Sequence, residues 1–125
     1  MAVLERSASS VTEFDVYGAD CPSRSLLNLV TTRWAVLIVG ALDHGPLRFG
    51  ELRRRLEGVS QKVLTDKLRD LEQEGLITRA VTDKPLAVEY SLTEIGKSLN
   101  GPLAALRLWA QRHCDEPRPS TIADD

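Results

Sequence analysis

The sequence predicts a mainly α domain carrying one small β-hairpin, and three observations predict it. Apolar residues recur at spacings of three and four from Leu26 to Leu71 and again from Ile95 to Trp109, the period of an amphipathic helix. Between those tracts, residues 77–92 change to a period near two, as paired strands do. With 125 residues, 42% of them hydrophobic, the chain is expected to form one domain around a single core.

The elements follow in order. Residues 1–20 hold Ser, Ala, Thr and scattered charge with little periodicity and are expected to be a flexible tail. From Ser23 onward, Leu26, Leu27, Val30, Trp34, Leu37, Ile38 and Leu42 mark one buried stripe. A bend at Thr31-Thr32-Arg33 divides it into two helices, and Gly45-Pro46 in "DHGPL" ends it. Phe49, Leu52 and Leu56 give a short helix over about 49–56, closed by a left-handed cap at Gly58. Ser60 then reads as the N-cap of a helix that runs to about Glu74 and stops at Gly75. "ITRAVTD" and "AVEYSLT" are the two strands, joined through Lys84-Pro85-Leu86. Thr93 caps a last helix on which Ile95, Leu99, Leu103, Leu106 and Trp109 keep an apolar stripe to about His113. Gly101-Pro102 predicts a kink in it. The end, "DEPRPSTIADD", is acidic and broken by proline. The expected organisation is a tail over 1–20, a folded domain over 21–114 and a second flexible acidic tail over 115–125. Helix, helix, turn, helix, hairpin, helix is the order of a winged helix-turn-helix.

Charge is distributed unevenly. The net charge is −2, yet residues 23–112 carry 14 Lys and Arg against 10 Asp and Glu. The acidity therefore sits in the two ends, and the body is mildly basic, which is compatible with nucleic acid. The longest apolar run, Trp34 to Leu42, is less than half of the roughly 20 residues a membrane helix needs. No basic segment leads into an apolar stretch at the start, so no secretory signal is read there and a cytoplasmic protein is expected. Cys21 and Cys114 stand far apart with no CxxC neighbour, which fits neither a zinc module nor a disulfide scaffold. No metal and no cofactor is expected.

The helix that starts after Ser60 has two unlike faces. At about 100° per residue, Leu64, Leu68 and Leu71 share one side while Lys62, Asp66, Arg69 and Gln73 take the other, with Gln61 and Thr65 at the flanks. In a helix-turn-helix the first turns of this second helix enter the major groove. Gln61, Lys62, Thr65 and Arg69 offer an amide, a cation, a hydroxyl with a methyl, and a guanidinium, the groups that read base edges. Ser60 and Arg53, with Arg79 and Lys84 at the foot and tip of the hairpin, complete the candidate contacts, the basic ones to phosphate. The competing reading is an ordinary solvated face with Lys62–Asp66 and Asp66–Arg69 pairs; the turn before the helix and the hairpin after it favour the DNA reading.

Several blocks in order, "WAVLIVGAL", "GPLRFGELRRRLEGVSQKVLTDKLRDLEQEGLITR" and "VEYSLTEIGKSL", with Cys21-Pro22 ahead of them and Trp109 behind, resemble the HxlR family of bacterial transcriptional regulators, relatives of the MarR group. The resemblance spans about residues 21–113. It implies a winged-helix homodimer, assembled through the first and last helices, that binds double-stranded operator DNA of palindromic sequence and represses or activates nearby genes. In one place the sequence departs from the family pattern: "TDKPLA" makes a compact wing without the basic residue often found before "VEY". Apart from the resemblance, Leu26, Leu27, Val30, Leu103, Leu106 and Trp109, with Trp34 and Leu108, are more apolar surface than so small a domain needs inside, and a two-fold dimer would cover the surplus. Family members that sense through a cysteine at this place make Cys21 the candidate redox-sensing thiol, with an oxidant or electrophile as inducer. Its position at the start of a helix, near Arg24, favours the thiolate. Cys114 is the candidate second thiol.

An enzyme is not expected. The only histidines, His44 and His113, have no partner at motif spacing, and no phosphate-binding glycine motif occurs. Two alternatives remain in view: a regulator that answers to a small molecule without a thiol switch, and a winged helix that docks proteins rather than DNA.

Overall fold

The computed structural model describes residues 15–83 and 86–117. It contains helices α1 (Pro22–Val30) and α2 (Arg33–Leu42), strand β1 (Leu47–Arg48), helices α3 (Phe49–Arg55) and α4 (Gln61–Gln73), strands β2 (Ile77–Asp83) and β3 (Leu86–Leu92), and the long helix α5 (Glu94–His113). The expected tails at 1–14 and 118–125 lie outside the described residues. Residues 15–20 include a turn closed by Gly18 N–H to the Asp15 carbonyl at 2.8 Å.

The first helical tract bends by 72° between α1 and α2, where a division was expected. Its cause is local. Thr31 Oγ1 adds to the Thr31 N–H bond on the Leu27 carbonyl at 2.7 Å, while Thr32 Oγ1 and N–H both turn to the Leu29 carbonyl at 2.9 and 3.3 Å, the acceptor that Arg33 N–H would use in a continuing helix. Beyond the bend, Ala35, Val36, Ile38, Val39, Ala41 and Leu42 of α2 are all buried. This helix is the centre of the core, and α3, α4, α5 and the sheet close around it.

The sheet is larger than the expected hairpin. β2 and β3 pair antiparallel from Ile77–Leu92 to Asp83–Leu86, and β1 adds a third strand with Leu47 opposite Tyr90 and Arg48 opposite Glu89. A two-residue strand is too short to show a period, so it could not be read from the sequence. The last helix, α5, runs from Glu94 to His113 with Pro102 inside it. Pro102 is exposed, so the backbone group it leaves unpaired can turn to water rather than be stranded in the core.

One junction ties the reading helix to the rest. Gly75 ends α4 with φ of +76°, a conformation that costs glycine little. Thr93 donates to the Gly75 carbonyl at 2.6 Å and accepts from Gly96 N–H at 3.1 Å. Gly96 admits the Leu76 carbonyl where any Cβ would collide with it. The end of α4, the foot of the wing and the start of α5 therefore move as one piece.

Candidate nucleic-acid interface

The interface is built from the α3–α4 turn outward. Arg48 N–H is held by the Glu51 carboxylate at 2.8 Å, which fixes the start of α3. At the turn Gly58 adopts φ of +93°, and the half-buried Trp34 lies near it, its ring edge 4.0 Å from where a Cβ would stand. Trp34 thus braces the turn and belongs partly to the monomer's own packing. Ser60 Oγ accepts from Val63 N–H at 3.1 Å, the N-cap that its position predicts.

From that cap, α4 presents the two expected faces. Leu64, Leu68 and Leu71 are buried, worth about 1.5–3 kcal/mol each in removing apolar surface from water. Gln61, Lys62 and Arg69 are exposed and Thr65 is half-buried. Asp66 lies between the two cations: Lys62 Nζ reaches its Oδ2 at 2.8 Å, and Arg69 Nη1 lies 3.8 Å from Oδ1. The Lys62 hydrogen bond, aided by the Lys62 and Arg69 charges against some desolvation, holds the Asp66 carboxyl below its usual range. The pairs are exposed, so they contribute little to stability. They do hold the lysine and the arginine over one helical face.

Around α4, Arg53, Arg54 and Arg55 are exposed on α3, and Arg79 is exposed on β2 opposite Tyr90. Lys84, the expected wing-tip contact, lies outside the described residues. Ser60, Gln61, Lys62, Thr65 and Arg69 are gathered on the first turns of one helix. Arg53 sits on the preceding helix and Arg79 on the wing.

The other candidate residues divide. Leu26, Leu27, Leu106 and Trp109 are 41, 45, 47 and 57% exposed, whereas Val30 and Leu103 are only 6 and 5% exposed and point into the monomer's own core. Cys21 is the half-buried N-cap residue of α1, with Sγ 2.7 Å from Ser23 Oγ, and Cys114 is exposed just beyond α5. Arg24 makes its hydrogen bonds to the preceding turn. Its guanidinium donates to the Val16 and Tyr17 carbonyls at 3.3 and 3.1 Å and pins the preceding turn. The residue that sequence reasoning missed is Arg107, which crosses from α5 to donate to the Val36 carbonyl at 3.1 Å. A partner 71 positions away leaves no local signal.

This arrangement, a capped reading helix after a tight turn with a three-stranded wing beside it, defines a winged helix-turn-helix of the transcriptional-regulator type. Residues 29–118 match the family model described as HxlR-like helix-turn-helix, and the chain belongs to that family. It is 42% identical over 110 residues, 87% of each chain, to the uncharacterized HTH-type transcriptional regulator YtfH of Escherichia coli. Among solved structures it superposes on YtfH from Salmonella typhimurium with a TM-score of 0.75 and 40% identity, covering 89% of this chain and 96% of that one. Diamide-treated YodB from B. subtilis aligns with a TM-score of 0.64 and 36% identity over 80% of this chain and 100% of its own. The protein is thus a transcriptional regulator with a helix-turn-helix DNA-binding fold. Among the described residues no single helix is long and apolar enough to cross a membrane.

Proposed function

We propose that the protein is a cytoplasmic, sequence-specific repressor that binds a palindromic operator as a homodimer, with the first turns of α4 in the major groove. The observation that carries this reading is the outward face of α4, where Gln61, Lys62, Thr65 and Arg69 follow the Ser60 cap with their apolar helix-mates buried behind them. Arg53 and Arg79 would meet phosphate on either side, and Lys84 would do so from the wing tip. The dimer is supported by Leu26, Leu27, Leu106 and Trp109, exposed on α1 and α5. Pairing there would space two α4 helices for successive half-sites, roughly 34–36 Å apart. Footprinting over the gene's own upstream region tests the reading: the expected result is a two-fold symmetric protected site, and protection without symmetry would contradict the dimer.

The thiol extends this proposal. Diamide removes two hydrogens from two thiols, giving a disulfide and the reduced hydrazine. In the dimer Cys21 would supply one thiol and Cys114 of the partner subunit the other, provided their Cα atoms come within about 7 Å. Support comes from the half-buried Cys21 at the head of α1 beside the exposed apolar faces, and from a relative whose structure was determined after diamide treatment. Cys21→Ser should keep DNA affinity and lose its response to diamide; an unchanged response would remove Cys21 from the mechanism.

A further inference from the structure

A second polar feature lies away from the DNA face. Where α2, α3 and α5 meet there is an open cavity of about 540 Å3, within the range that holds small ligands. Arg107 forms one wall, and its placement is built rather than incidental. Nη1 donates to the Val36 carbonyl at 3.1 Å and Nη2 to Asn100 Oδ1 at 2.9 Å. The guanidinium lies over Gly40 so closely that an added Cβ there would stand 2.7 Å from Cζ.

A guanidinium carries five N–H donors and a full charge. Among the described residues Arg107 forms no ion pair with a carboxylate, although it is half-buried. Arg55 enters the same cavity from α3. The same lining includes the apolar side chains of Leu37, Ala104 and Leu108. Asp43 and Glu57 also border the cavity, and their charges oppose a dianion about twice as strongly as a monoanion.

We propose that this cavity binds a small monocarboxylate with an apolar body, its carboxylate on Arg107 with Arg55 alongside and its body against Leu37, Ala104 and Leu108. The planar guanidinium matches a carboxylate in two-point geometry. Neutralisation of the half-buried charge supplies the driving force, and the two acidic residues discriminate against phosphate. The site also connects the parts of the regulator. Arg55 ends α3 just before the Gly58 turn that aims α4, and Arg107 rides on α5.

The test is calorimetric titration of the full chain with sodium benzoate, benzamide and inorganic phosphate at constant ionic strength. Saturable binding of benzoate is expected, with benzamide and phosphate weaker by about tenfold or more and benzoate weakened to the same degree by Arg107→Lys. Equal binding of benzoate and benzamide, equal binding of phosphate, or no saturable benzoate heat would each overturn the site, as would undiminished binding by folded Arg107→Lys. The benzoate–benzamide contrast uses the unaltered chain, so it decides the matter even if the Arg107 variant fails to fold. None of these readouts involves DNA, so a failed operator-binding reading would leave the result intact.

Discussion

The outward face of α4 and the outward faces of α1 and α5 are exposed alike and differ in kind. On α4 Leu64, Leu68 and Leu71 are inside, and apart from Val63 the residues left exposed are charged or amide-bearing. On α1 and α5 the helical period leaves Leu26, Leu27, Leu106, Leu108 and Trp109 in contact with water. A polar face costs nothing to leave bare; an apolar one does, unless something covers it. The two faces therefore offer different chemistry to a partner, charges and amides on the first and apolar surface on the second.

The largest effect should come from spoiling the apolar face. Leu106→Glu combined with Trp109→Glu is expected to give monomers in sedimentation velocity and to lower operator affinity by about two orders of magnitude or more, because two linked half-site contacts become one. A variant that stays dimeric would move the interface elsewhere. Next is the support behind the reading face: Leu64→Ala should cost about 2–5 kcal/mol in urea denaturation, since Leu64 is fully buried.

Arg69→Ala sharpens the contrast, for it should cost about 1–3 kcal/mol in operator binding and relax preference at one base pair. Stability should change by less than about 0.5 kcal/mol, as for other exposed positions. Ser60→Ala is expected to cost about 1 kcal/mol of stability through loss of the cap, read as a lower melting temperature.

The smallest stability effect belongs to Asp66→Asn, whose ion pairs are exposed. The Lys62 hydrogen bond holds the Asp66 carboxyl below its usual range in the folded chain. Its stabilising contribution is therefore present above the unfolded value and lost only as pH falls through the lower folded one. At neutral pH the melting temperature should hardly move, while affinity for DNA of any sequence should rise at low salt as Lys62 and Arg69 lose their internal counter-charge. Unchanged affinity would mean that the face does not meet phosphate.

What could be read from the sequence was whatever is local. The caps and turns at Ser60, Gly58, Gly75 and Thr93 are set within a few residues of each, and each that they predict is present. The alternation of Leu64, Leu68 and Leu71 with Lys62, Asp66 and Arg69 needs only the helical period. Long-range features were hidden. β1 forms because β3 offers an edge, and Arg107 depends on a glycine notch in a helix far away in sequence. Val30 and Leu103 belong to the same apolar stripes as the exposed leucines, and only the tertiary packing of the core cluster sets them apart. Arg24 was placed beside Cys21 by sequence distance, but two backbone carbonyls of the preceding turn claim it.

The most direct test of the central claim, that the face of α4 reads DNA sequence, is fluorescence anisotropy of the full chain and of Arg69→Ala on two duplexes across a salt series. One duplex is the intergenic DNA upstream of the protein's own gene, and the other is its scrambled counterpart of equal length. The account predicts tighter binding to the upstream duplex, weakening of both with salt, and a difference that shrinks in Arg69→Ala. Equal affinity for the two duplexes at every salt concentration would contradict it.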